Sequence, residues 1–280
     1  MKNLIKLAAQ DVRYGLIGMW PGFLGAFLLI SFFFLVLHLR VQASFEGLVS
    51  LSFLDFVVCF TAGIPTYVFD PTDPFKIPAQ WLMVYLLIAY STLHYPSRDL
   101  SGIGMHIIVA SGDRKHWWLA KCLWIALCVL AFFLIGITTA ALWASITGGE
   151  LGSSISNQAL TALGFKEPYF TPQPLGIAGI VIVAMVATMS ICYAQMLISI
   201  LTRPLFGFIA TISILFLSAF IQTPFLIGNY LMAARSSLFV MGGLDEWSGI
   251  VCSIAISVIS IILGKTYFQN TDILGAGDQS

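Results

Sequence analysis

Six apolar runs, each long enough to cross a bilayer, constrain this chain more than any other feature. They cover 21–39, 77–94, 117–146, 175–201, 205–227 and 247–268. A helix needs about 20 mainly apolar residues to span the hydrocarbon core, so the runs occupy about half of the 280 residues and leave only short connections. Charge agrees: only 9% of residues are Asp, Glu, Lys or Arg, against roughly 25% in a soluble domain. The predicted fold class is an all-α integral membrane protein with six transmembrane helices in one domain.

Thirteen basic and thirteen acidic residues cancel, which leaves no electrostatic footprint for nucleic acid. Residues 1–18 show no small-residue cleavage site after a short apolar core, so no cleaved signal peptide is expected. They instead mix Lys2, Lys6, Asp11 and Arg13 with Leu4, Ile5, Val12 and Leu16, as an interfacial amphipathic helix does. Cysteines 59, 122, 128, 192 and 252 sit in or beside apolar stretches. No Cys or His spacing there suits a metal, and they read as small hydrophobes.

Orientation follows the basic residues. Lys2, Lys6, Arg13, Arg98, Arg114, Lys115, Lys121, Arg203 and Lys265 fall on one side, and Arg40, Lys76, Lys166 and Arg235 on the other. The richer side is cytoplasmic and holds both termini. Trp20, Trp81, the Trp117–Trp118 pair and Trp247 fall where spans meet the interface. Two outer segments do not fit plain spans. Ser50–Phe69 is apolar but carries Asp55 and is broken by Gly63 and Pro65; it reads as re-entrant, packed on protein. Asp55 is either a helix cap or a pathway acid, the cap being preferred. Asn229–Gly243 is expected to dip into the outer leaflet, with Arg235 as an outer-surface anchor.

Pro96–His116, on the basic side, carries Leu100, Ile103, Ile107 and Ile108 at helical spacing against Arg98, Asp99, His106, Asp113, Arg114, Lys115 and His116. An amphipathic helix there presses on lipid or docks on a soluble partner; an ordinary basic loop is the other reading. Polar groups also dot the second and fifth runs: Tyr85, Tyr90 and Thr92 in one, Thr211, Ser218 and Gln222 in the other. A translocation path and helix packing both account for them. A phosphate-binding loop ending at Gly264–Lys265 would need glycine at 259, which is Ile259. A membrane enzyme with His94 or His106 as base, and a non-transporting scaffold or sensor, stand as alternatives; no buried catalytic dyad can be drawn.

The stretches Tyr95-Pro-Ser-Arg-Asp-Leu100 and Ser111-Gly-Asp-Arg-Lys-His-Trp-Trp-Leu-Ala-Lys121, with the order of elements around them, resemble type-2 ABC exporter permeases of bacteria. In that family a basic turn and a Trp pair open the third span. The resemblance implies an elbow helix matching Lys2–Tyr14, and a coupling segment over 96–116 that meets a separate ATPase through Arg98, Asp99, His106, Asp113, Arg114 and Lys115. It further implies a cavity between two permease chains, lined by spans two and five and so by Tyr85, Tyr90, Thr92, Thr211, Ser218 and Gln222. ATP and magnesium would reside on the ATPase, with no cofactor on this chain. The bacterial cytoplasmic membrane is the implied location, and a peptide antibiotic, lipid or drug the implied kind of cargo.

Overall fold

The computed structural model describes residues 11–44, 50–67, 75, 77–100, 102, 114–152, 154–165 and 173–270. A π-helical turn, Asp11–Leu16, precedes α1 (Trp20–Ser44), α2 (Phe53–Thr61), α3 (Ala79–Leu100), α4 (Arg114–Ile146), α5 (Asn157–Ala162), α6 (Pro174–Leu201) and α7 (Pro204–Phe220). Two 3₁₀ turns, Ile227–Leu231 and Ala233–Arg235, lead into α8 (Glu246–Asn270). Among the described residues there is no strand beyond an isolated bridge between Ser236 and Leu244.

Four helices, α1, α4, α6 and α8, are long and apolar enough to cross a membrane. Their outward faces agree. Leu24, Leu28, Phe32 and Leu39 of α1 and Val251, Ile254, Ile259 and Leu263 of α8 are exposed. Water would not tolerate apolar patches this continuous, whereas acyl chains do. The molecule is an α-helical membrane protein.

The inner architecture is built around α6. It packs against α3, α4, α7, α8 and the first 3₁₀ turn, and it is buried on nearly every side through Ala184, Ala187, Thr188, Ser190, Ile191 and Gln195. A helix apolar all round belongs inside, and small residues let neighbouring backbones approach closely in lipid. The tightest approach is to α7, after the turn at Thr202–Arg203. A Cβ at Gly207 would stand 2.6 Å from the Gln195 carbonyl oxygen.

On the opposite side α4 packs on α1 and α2. Nine residues cannot cross a bilayer, and α2 is wedged in the interior instead. Phe60 meets Phe133 edge-on at 5.3 Å, and Phe56 lies 5.1 Å from Phe34. A Cβ at Gly136 would touch the Phe60 ring at 2.9 Å. Gly63, at φ +67°, ends the α2 segment in the left-handed region that glycine favours.

Several expected boundaries shift. The first helix runs past His38 and Arg40 to Ser44. The second continues through Pro96 to Leu100, so the segment expected to begin at Pro96 starts inside a helix. The fifth stops at Phe220, because Ile221 turns extended, and Gln222 lies beyond the helix rather than in it. The tryptophans also divide. Trp20 and Trp247 are exposed, as an interfacial belt requires, but Trp81, Trp117 and Trp118 are buried. Each of those three spends its indole N–H on an interior acceptor. Residues 1–10 of the expected interfacial helix and 103–113 of the expected coupling segment lie outside the described residues.

Candidate functional site

The densest polar constellation lies where α3 ends and α4 begins. Lys121, one turn after Trp117 on α4, is 1% exposed. Its Nζ lies 2.5 Å from Asp11 Oδ1 and 2.7 Å from Asp99 Oδ2. The Tyr95 hydroxyl donates to Asp11 at 2.8 Å, and the Trp117 indole N–H donates to Asp99 at 2.8 Å. The ammonium also sits 4.6 Å from the Tyr95 ring centroid and 5.3 Å from that of Trp117. An unpaired charge in such surroundings is prohibitive, and here each charged group has a partner of opposite charge. The π-helical turn, the foot of α3 and the foot of α4 are thereby tied at one point. Lys121, expected on the basic side of the chain, is buried, and Asp99, one of the residues assigned to the coupling segment, pairs with it.

Of the other residues expected to meet an ATPase, Arg98 and Lys115 are exposed and Arg114 opens α4. His106 and Asp113 lie outside the described residues.

The residues expected along a cargo path do not form one lining. Tyr85 is buried and donates to the Leu231 carbonyl at 3.4 Å. Thr92 is buried and donates back to Ile88 and Ala89 at 3.1 and 3.2 Å. Thr211 donates to Gln195 Oε1 at 2.7 Å, while the Gln195 amide reaches the Ala89 carbonyl at 2.8 Å. That relay joins α3, α6 and α7. Ser218 bonds its own helix at Ile214, and Gln222 pairs with Thr66. Only Tyr90 looks outward: it is 56% exposed, with rings of His94 and Phe208 at 5.7 and 6.0 Å. Four of the six thus serve helix packing in this conformation, Gln222 pairs outside the helices, and Tyr90 faces out.

The opposite end of the bundle holds a second polar centre that corrects the expectation of an exposed Arg235. That side chain is 1% exposed. Nε donates to the Ile64 carbonyl at 3.0 Å and Nη2 to that of Ala219 at 2.7 Å. Nη1 reaches the Ser218 carbonyl, Asn229 Oδ1 and, at 3.4 Å, Ile221. Three of these carbonyls end α7, where a cation is favoured by the helix dipole. Burial lowers the Arg235 pKa to about 10.

Asp55 is the cap the sequence preferred, though buried rather than shallow (1% exposed). Ser52 and Asp55 form a reciprocal capping box at the start of α2. Asp55 additionally accepts from the Ser156 amide at 2.9 Å and hydroxyl at 3.2 Å, tying α2 to α5. Burial pushes its carboxyl up, against the opposing pull of these donors.

The signal for the Lys121 cluster was present in the sequence as Lys121 inside an apolar run, since an ionisable group at such a position asks for a partner. Its partners, 110 and 22 residues away, could not be named from spacing. No family model, no curated protein and no solved structure matches this chain. The class it belongs to is therefore set by its helices: a multi-helix membrane protein with two buried polar centres, one at each end.

Proposed function

We propose that this chain is the membrane-embedded permease subunit of an ATP-driven exporter for an apolar or amphipathic cargo. In this reading α3 and α7 join the four longer helices as spans two and five. That makes six spans, with both termini on the cytoplasmic side of a bacterial cell membrane. The 22 residues of α3 and the 17 of α7 fall within the range a span requires. The α2 segment and the 3₁₀ turns are then re-entrant, and Arg235 satisfies irregular backbone carbonyls that lipid could not. A separate ATPase, carrying ATP and magnesium, docks beneath 96–116 and meets Arg98 and Lys115. The type-2 permease resemblance stated above supplies this ATPase.

The observation that carries the reading is the face of α3 and α7 around Tyr90. Its hydroxyl, near the middle of α3, has no hydrogen-bond partner among the described residues, and His94 is exposed one turn on. Lipid offers neither group a partner, and polar side chains at membrane depth face protein or a watered cavity. A second copy meeting this face covers both groups and encloses a path whose aromatic lining suits apolar cargo.

Purification of the tagged chain from native membranes tests the proposal. Recovery of a soluble subunit with a phosphate-binding loop, together with ATP-dependent movement of an amphipathic fluorophore into inverted vesicles, is the expected result. Absence of both overturns it. Loss of an activity by alanine at His94 or His106 alone, without an ATPase, would favour the membrane-enzyme alternative.

A further inference from the structure

The clasp at Lys121 sets two carboxylates against one described cation. One ammonium serves two carboxylates, so the described charges of the cluster sum to one negative. If Asp11 departs, Lys121 keeps Asp99 at 2.7 Å, and a buried one-to-one pair remains. The reverse does not hold for Lys121, whose loss strands both acids. Asp11, the acid carried by the N-terminal turn, can thus leave without orphaning Lys121.

Two further features fall on the same segment. Residues Asp11–Leu16 wind as a π-helix, a rare form that inserts one extra residue per turn and tends to occur at functional positions. Beneath it, Trp124 is 1% exposed and its indole Nε1 has no partner among the described residues. The backbone at Gly15 lies so close that a Cβ there would collide with the Trp124 indole and stand 2.9 Å from Tyr95 Cζ. A buried, unpartnered donor is uncommon and costly, and this one exists because the turn is pressed onto it.

We infer that the 11–18 segment is a two-state strap, and that the clasped π-helical form converts to an α-helical form in which Asp11 is released from Lys121 and Tyr95. Losing the extra residue of a π turn rotates everything N-terminal to it by about 100°, enough to swing Asp11 off the ammonium. Among the described residues the clasped state sets two carboxylates against one cation and leaves the Trp124 indole N–H without a partner; it gains the Asp11 hydrogen bonds and the Gly15 contact. Opposed terms of similar size are what a bistable element requires. Opening bares Tyr95 and Trp124 where α3 ends and α4 begins. This inference does not depend on the exporter reading.

Hydrogen–deuterium exchange of the full chain in lipid nanodiscs tests it, read at 12–18 with α6 as internal reference. Asp11→Asn should raise exchange at 12–18 roughly tenfold or more, since a charge-assisted bond is lost, and leave α6 unchanged. Trp124→Phe removes the orphaned donor and should slow exchange at 12–18, whereas a purely structural tryptophan would loosen the segment when trimmed. Exchange that quickens with Trp124→Phe, or Asp11→Asn that loosens α6 equally or leaves 12–18 unmoved, overturns the strap.

Discussion

Lys121 shows how far a single residue can depend on partners distant in the chain. Removing its charge strands Asp11 and Asp99 in an apolar interior. Lys121→Met should therefore cost about 3–5 kcal/mol of stability, the usual penalty for breaking a buried pair from one side. Neutralising all three together (Lys121→Met, Asp11→Asn, Asp99→Asn) should recover most of that loss, because a buried ionic group and a neutral one of equal volume are often equivalent. Denaturation in detergent, compared across the single and triple variants, checks both. Asp55 makes a pH prediction. Its carboxyl is raised in the folded chain by burial, so the folded state binds the proton more tightly than the unfolded one. That contribution to stability is full below the ordinary carboxylate pKa and is lost as pH rises through the higher folded value. The melting temperature of the unaltered protein should accordingly gain on that of Asp55→Asn as pH falls from 7 toward 4. A difference constant with pH would contradict the cause assigned here. A capping role for Asp55 was among the sequence readings; its partner Ser52 and its burial were not, because the burial depends on Ser156 arriving from 101 residues away.

Among the elements, the 218–236 stretch and the segment after α2 illustrate backbone that only works when buried together. The Ala234 amide donates to the Ala62 carbonyl at 3.0 Å, and Arg235 bridges Ile64 to the end of α7. Arg235→Met should cost about 3–5 kcal/mol, since several buried carbonyls lose their donor at once, and should speed exchange at 62–67 and 218–236 before elsewhere. Arg235→Lys should recover little, because a single ammonium cannot reproduce the planar fork. At the other contact of α2, Gly136→Val should cost about 1–3 kcal/mol by overpacking against Phe60, measured as a fall in melting temperature. The apolar runs made these helices visible, but their ends were misplaced at Leu39, His94 and Ile227. Hydropathy cannot register that α3 continues through Pro96 or that α7 yields to extended chain after Phe220, since both depend on which neighbour takes up the backbone groups.

At the scale of the whole molecule, the exporter reading predicts that charge reversal at Arg98 uncouples ATP hydrolysis from cargo movement while the helices remain folded. ATPase and vesicle assays on the reconstituted pair would show the split, and unchanged coupling would remove Arg98 from the docking surface. The membrane character of the chain was decided by its sequence alone: with 26 charged residues in 280 there is no way to cover it with water-compatible surface, and the runs are as long as a bilayer is thick. Sequence also chose the small residues of α6 that let it sit at the centre. Which polar residues face inward was left to the tertiary structure. Lys121, Asp99, Arg235 and Trp117 carry the same side chains whether they meet lipid headgroups or one another. Only the packing of segments far apart in the chain brings an acid to 2.7 Å, a carbonyl to 3.0 Å or a ring centroid to 4.6 Å, and such closeness separates a buried clasp from an exposed surface charge.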